Sequence, residues 1–426
     1  MNQNIFERKT LGPLLTLKKG KKPGSQSPAK EKGMLPYVDI KAFETGVIDN
    51  YTDDDKCVPC EDGDLLIVCD GSRSGYVGRA IKGYTGSTLA KIFAEGVDNG
   101  YLYYFIQSMY RFLNTQMKGT GTPHLNVDVL RKAELVIPSI KEQKQIVNKI
   151  EELFFELDSA VETLKKAKEQ LAVYRQSVLK EAFEGRFTEQ WRKKQKYDCI
   201  QKDFSEIYRP AETFKDIAGD ENELNLCIPN EWKKVRIGEI FEVCVGGTPR
   251  RTEPSYWNGN ICWVSSGEVK FRKIYETNEC ITEKGVLNSS AKVRPKGSVL
   301  LAMIGEGKTR GQAAVLEVPA AHNQNTASIL VSKTPCSPLY LYYYFVLNYD
   351  HTRRVGSGNN QKALNKDRVK ALRIPFCSFD EQKQIVFQIE SRLSACENIE
   401  KTVNETLVQA DAMRQSILKK AFDGSL

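Results

Sequence analysis

EQKQIV stands at residues 142–147, and the same six letters return at residues 381–386, 239 positions later. An identity of that length inside one chain is the mark of an internal repeat, and a repeat has to be found before any local motif is weighed. The offset holds on both sides. QSVLKEAFEGRF (176–187) faces QSILKKAFDGSL (415–426), Leu125-Asn126 with Asp128 faces Leu364-Asn365 with Asp367, and Tyr101-Leu102-Tyr103-Tyr104 faces Tyr340-Leu341-Tyr342-Tyr343. Farther upstream it shrinks, to 234 for Gly63 and Gly297 and to 226 for Gly12 and Gly238, as loops of unequal length require.

Each half therefore has a body and a long helix. The reading divides the chain into a first body (1–140), a first long helix (141–185), a linker (186–230), a second body (231–377) and a second long helix (378–426). Between Glu142 and Glu184 there is neither Gly nor Pro. Ile146, Ile150, Leu153, Leu157, Ala160, Leu164, Ala167, Leu171, Tyr174 and Val178 step by four and three, a heptad seam. In the second copy the seam is Ile385, Ile389, Arg392, Cys396, Ile399, Val403, Thr406, Ala410, Met413 and Ile417, with Leu393 and Leu407 beside it. Forty helical residues reach about 60 Å, and two such helices in one chain pair most simply antiparallel, with a body at either end of the pair. The expected class is α+β: two pseudo-symmetric bodies of mixed strands and short helices, separated by an intramolecular coiled coil.

Composition narrows the function. No apolar run approaches membrane-spanning length, and the N-terminus lacks the apolar core of a signal peptide, so a cytoplasmic protein without membrane contact is expected. Eleven cysteines without framework spacing suit a reducing compartment. Net charge is +8, and residues 231–377 alone carry 22 Lys and Arg against 12 Asp and Glu. A basic excess concentrated in a body points to a polyanionic partner.

Candidate chemistry is sparse. AMIGEGKTRGQ (302–312) fits a relaxed phosphate-loop pattern. The repeat sets it against the first copy's CDGSRSG, which lacks the Gly-Lys-Thr, and AAVLEVP after it reads as a returning strand, whereas a nucleotide loop needs a helix at that point. The segment is expected to be a hairpin tip. Cys57 and Cys60 form one CxxC pair without further ligands, and their counterparts are Ala291 and Arg294. Three scattered histidines suggest no triad. The tyrosine segments read as core, and catalysis by this chain alone is not expected.

The doubled EQKQIV–helix–QSxLKxAFxG units, the LNxDxL lead-ins ending at Ile137-Pro138 and Ile374-Pro375, the IPNEW opening (228–232), Gly246-Gly247-Thr248-Pro249, and Tyr256-Trp257 with Trp263 together resemble the specificity (S) subunits of type I DNA restriction-modification systems. That resemblance covers nearly the whole chain. It implies two target recognition domains, each reading half of a split site on double-stranded DNA. Two modification subunits, adenine methyltransferases using S-adenosylmethionine, would dock on this chain. Restriction subunits would add ATP- and Mg-dependent translocation and cleavage, and no cofactor is expected on this chain itself. The first body lacks the Pro-x-x-Trp opening and the GGTP segment, so the two halves are expected to read different sequences. The other reading of the basic bodies and coiled coil is a stand-alone DNA-binding or architectural protein. Expected DNA contacts are Lys21, Lys22, Ser72, Arg73 and Ser74 in the first body, and Arg250, Arg251, Lys308, Thr309, Arg310, Asn359, Asn360, Gln361 and Lys362 in the second. Arg and Lys suit phosphate and guanine, and Asn and Gln suit adenine edges.

Overall fold

A computed structural model describes residues 8–119, 123–194, 225–305, 307–354 and 363–426. The chain forms two compact units, Met1–Ala167 with Thr402–Leu426, and Lys168–Lys401. Each unit thus holds one body, the start of its own long helix and the end of the other. The long helices run Ile140–Phe183 and Phe379–Phe422. In the described part of the linker, Glu189–Lys194 is a short helix.

In the first unit, β1 (Arg8–Thr10) pairs with β10 (Glu134–Val136), closing the body just before the helix starts. The main sheet has the order β2-β9-β6-β7, from Leu15–Lys19, Leu89–Ala94, Leu65–Val68 and Val77–Arg79. A second sheet, β4-β3-β8-β5, joins Tyr51–Thr52, Leu35–Val38, Gly83–Thr85 and Pro59–Cys60, with β3 and β8 parallel. All four residues of β6 are buried, as expected of a strand covered on both faces.

The second unit repeats this plan. Here β11 (Lys233–Arg236) pairs with β20 (Arg373–Phe376). The main sheet is β12-β19-β16-β17-β14, from Val243–Val245, Thr326–Ile329, Val299–Ala302, Ala313–Leu316 and Arg272–Ile274. The second sheet is β15-β13-β18, from Glu279–Ile281, Trp257–Val264 and Ala320–His322, with β13 and β18 again parallel. The strand β14 is an addition of this copy.

The repeated letters now have physical roles. The first glutamine of each EQKQIV is fully buried and ties its long helix to the tyrosine helix of the same body. Gln143 accepts from the Asp98 N–H (2.7 Å) and donates to the Gly96 and Pro138 carbonyls (3.0 and 2.9 Å). Gln382 accepts from the Ser337 N–H (3.0 Å) and donates to the Cys377 carbonyl (2.9 Å). Asp98 and Ser337 are the N-caps of the tyrosine helices Asn99–Thr115 and Pro338–Leu347. The tyrosines are core, as expected: Tyr101 donates to the Val136 carbonyl (2.9 Å) and Tyr340 to the Pro375 carbonyl (2.8 Å).

The AF pair near each helix end packs on that same layer. Phe422 meets Tyr101 and Phe105 (ring centroids 5.0 and 5.4 Å), and Phe183 meets Tyr340 and Tyr344 (4.9 and 5.4 Å). The repeated AF pair is therefore a packing feature of the fold. Ala421 and Phe422 belong to the first body's core, and only Asp423–Leu426 are exposed.

Within each unit the helices run antiparallel, as expected. In the first unit Arg414 pairs with Asp158 and its guanidinium lies 4.6 Å from the Phe154 ring, while Leu418 shares a core with Ile150. In the second, Arg175 pairs with Glu400 (2.8 Å) and Phe183 shares a core with Ile385 and Ile389. Ile150, Ile385, Ile389 and Val403 are buried, and Ile146, Leu153, Leu157, Leu164, Leu171 and Ile417 are half-buried. Ile399 and Met413 do not lie in the seam; they are 50% and 55% exposed, as is Tyr174 at 48%. One row of the seam is displaced: Cys396, Val403, Ala410 and Val178 stay buried at their heptad positions, while the neighbours of Ile399, Met413 and Tyr174, namely Glu400, Arg414 and Arg175, form the interhelical ion pairs.

Candidate nucleic-acid interface

Strand register gathers the candidate residues at one edge of each main sheet. In the second body, Ala302 at the end of β16 faces Thr326 at the start of β19, and Val245 at the end of β12 faces Ala327. Three connections therefore emerge side by side: the 246–251 loop, the 303–312 tip and the 323–325 turn. In the first body, Val68 faces Leu89 and Lys19 faces Ala90. The loop after Lys19, the 69–76 tip and the 86–88 turn emerge together in the same way.

Both tips are hairpin turns: β6 and β7, like β16 and β17, pair antiparallel across them. No helix begins at Lys308-Thr309, where a phosphate loop would need one. Each tip is braced from the same repeat position. The Asn114 amide donates to the Ser72 and Ser74 carbonyls (2.9 and 3.1 Å), and Arg353, 239 residues later, donates to the Arg310 carbonyl (3.4 Å) and the Tyr349 hydroxyl (2.9 Å). Tyr349 in turn donates to the Lys308 carbonyl.

Glycine lets the neighbouring loops pass. A Cβ on Gly20 would stand 2.2 Å from the Gly86 carbonyl oxygen, and one on Gly246 would stand 2.0 Å from that of His322. Only glycine fits so close to another backbone.

Among the expected contacts, Lys21, Lys22, Ser72, Arg250 and Lys308 are exposed, and Thr309 is half-buried. Arg73 is exposed but pairs with Glu44 (2.6 Å) and lies over the Tyr76 ring at 4.5 Å. Arg251 lies 3.9 Å from the Trp257 ring centroid and grips Glu279 through both terminal nitrogens. That hydrogen bond holds the Glu279 carboxyl below its ordinary value, and Arg250 is left as the open cation of the pair.

Two assignments are corrected. Ser74 is fully buried, its hydroxyl spent on the Cys69 and Gly71 carbonyls (3.0 and 2.8 Å), so it shapes the tip from inside. Arg310 is only 9% exposed, so it supports the second tip from below. Asn359, Asn360, Gln361 and Lys362 lie outside the described residues.

Other residues reach these edges unannounced by sequence spacing. The Thr248 hydroxyl donates to Gln324 (2.6 Å) across 76 residues, and the Trp263 indole donates to the Gly247 carbonyl (3.0 Å). In the first body the Asp70 carboxylate takes Lys19 Nζ (2.9 Å) and His124 Nδ1 (2.7 Å). Partial burial pushes the Asp70 carboxyl up, but the hydrogen bonds from Lys19 and His124 prevail and hold it below its usual value.

Known proteins resemble this chain in sequence and in fold. The family model described as "Type I restriction modification DNA specificity domain" matches residues 5–171 and 229–409. The MjaVIII specificity subunit of Methanocaldococcus jannaschii is 23% identical, over 98% of this chain and 92% of its own length. The EcoBI specificity subunit of Escherichia coli is 24% identical over 85% and 73%. Among solved structures, the HsdS subunit from Thermoanaerobacter tengcongensis has the same fold (TM-score 0.57, 16% identity, 100% and 98% coverage). So does a chain from a study of type I R-M complex assembly and conformational transition (TM-score 0.70, 17% identity, 99% and 98% coverage).

Proposed function

Because the chain belongs to the type I restriction-modification DNA specificity family, we propose that it reads a split, asymmetric site on double-stranded DNA, one half per body, for partner subunits that carry the chemistry. The observation behind this reading is the pair of sheet edges, built by one repeat yet lined by different side chains. Lys21, Lys22, Ser72 and Arg73 stand at one, and Arg250, Lys308 and Thr309 at the other. Exposed cations on short loops neutralise phosphates, and the glycine passages let those loops crowd together at one edge. Two different linings imply two different half-sites.

Each unit also presents large apolar side chains on its long helices: Phe155, Val408 and Met413 in the first, Val173, Phe387 and Ile399 in the second. Exposed apolar side chains of this size mark protein-binding surface, and their presence in both units suits two modification subunits. S-adenosylmethionine would sit on those methyltransferases, and ATP with Mg on restriction or translocase subunits, leaving this chain without a catalytic role in the cytoplasm.

The test is co-purification with an adenine methyltransferase, followed by mapping methylated adenines in host DNA. A split motif with unequal halves is expected, and Arg250→Ala with Lys308→Ala should weaken binding through the second body and flatten its salt dependence. A chain that purifies alone, with no methyltransferase companion, and binds DNA without preference would instead indicate an architectural protein.

A further inference from the structure

The Lys19–Asp70–His124 cluster is present in only one copy of the repeat. Register identifies its counterparts. Lys19 faces Ala90, which faces Ile67, and Val245 faces Ala327, which faces Leu301. The backbone then closes identically in both copies: the Leu125 N–H donates to the Cys69 carbonyl (2.7 Å), and the Leu364 N–H to the Met303 carbonyl (2.9 Å). Lys19, Asp70 and His124 therefore correspond to Val245, Ile304 and Ala363. Three polar residues on three segments stand where the other copy has three apolar ones. The shared fold does not require them, and they sit at the edge where the first tip and basic loop emerge.

We propose that His124 is a phosphate contact of the first body, positioned and charge-balanced by Asp70; this rests on the DNA-binding reading above. Asp70 Oδ1 lies 2.7 Å from His124 Nδ1 and its carboxylate is ionised, so Nδ1 carries a proton and donates it. Any further proton must go to Nε2. The imidazole is 53% exposed, whereas Asp70 is 18% exposed and shielded by Lys19. With neutral imidazole, Lys19 and Asp70 cancel. A proton from solvent on Nε2 makes the cluster a net cation, with a donor free for an anionic phosphate oxygen. Among the described residues, Lys118 and Asp128 pair with each other (2.8 Å) and Arg73 with Glu44 (2.6 Å), while Lys21 and Lys22 stand exposed on the loop after Lys19. DNA binding at this body thus takes up a proton at Nε2, and affinity rises as pH falls.

The experiment uses the chain assembled with its methyltransferase partners and a fluorescent duplex carrying the site read from host methylation. Anisotropy gives Kd from pH 8.5 to 6 at fixed ionic strength, and against salt at pH 6. Wild type should tighten severalfold toward pH 6. His124→Gln, which can still donate to Asp70, should lose that tightening, and its log Kd against log salt slope should fall by about 0.9, one phosphate. The triple change Lys19→Val, Asp70→Ile, His124→Ala copies the second body's trio, and should keep the melting temperature while losing the pH response. Unchanged pH dependence in His124→Gln overturns the assignment, as does a loss confined to one base pair of the target, which would mean a base contact. A wild-type complex that binds no duplex overturns it together with the reading on which it rests.

Discussion

Two buried side chains show how much single residues carry here. Gln382 is enclosed, with its amide divided between the Ser337 N–H and the Cys377 carbonyl. Gln382→Leu keeps most of the volume and strands both groups, so a loss of roughly 2–4 kcal/mol is expected in urea unfolding of the second unit; a loss below about 0.5 kcal/mol would refute the tie. His322 is fully buried, and burial pushes its imidazole down to about 4. Below pH 6.5 the unfolded chain takes a proton that the folded chain refuses. Stability is therefore complete above pH 6.5 and drains as pH falls toward 4, by about 3 kcal/mol in all. His322→Gln should flatten that slope between pH 7 and 4.5, and an unaltered slope would assign the loss to carboxylates. Little of this was legible in the sequence. EQKQIV marked Gln382 as repeated but not as buried, and Ser74 and Arg310 read as tip residues because a strand-turn-strand pattern cannot tell which side chains turn inward. Lys19, Asp70 and His124 escaped notice because they meet across 51 and 54 residues and in one copy only.

At the scale of the element, the long helices were the most legible part. Their limits, antiparallel sense and first turns of seam follow from heptad spacing, and Ile385 and Ile389 are buried where it put them. The error is confined to one row of the seam. At Ile399 the side chain points out and Glu400 meets Arg175, while Cys396, Val403 and Ala410 on the other row stay buried. This separates two classes of apolar residue on one helix. Ile389→Ala opens a cavity in the second body's core and should cost about 2–4 kcal/mol of stability. Ile399→Ala and Met413→Ala should each change stability by less than about 0.5 kcal/mol while weakening capture of the modification subunits. If Ile399→Ala unfolded the second unit like Ile389→Ala, the displacement of that row would be wrong.

For the whole molecule, the repeat predicts more than two similar halves, because each body is finished by the helix that began in the other half. Leu179, Ala182 and Phe183 enter the core of the second body, and Leu418, Ala421 and Phe422 enter that of the first. The second body adds a lock of its own. The Glu381 carboxylate, fully buried, accepts from Thr188 (2.7 Å), Arg192 (2.6 Å) and the Trp232 indole (3.0 Å), joining the described start of the linker and the opening of the second body to the start of the second long helix. Among the described residues, its repeat partner Glu142 holds only Ser139 (2.7 Å). The sequence displayed the duplication but not this exchange of helix ends, since AFEG and AFDG say nothing about which tyrosine layer receives them. One consequence concerns truncation. Removing residues 418–426 takes Leu418, Ala421 and Phe422 from the first body's core, so the loss should appear as unfolding there, beyond any loss of partner binding. Phe422→Ala alone should cost roughly 3–5 kcal/mol. Hydrogen exchange reads the outcome directly: amides of Tyr101–Phe105 should lose protection in the truncated chain while those of Tyr340–Phe345 keep theirs. Equal protection in both segments would mean that the C-terminal turn is dispensable to the first body and serves partners after all.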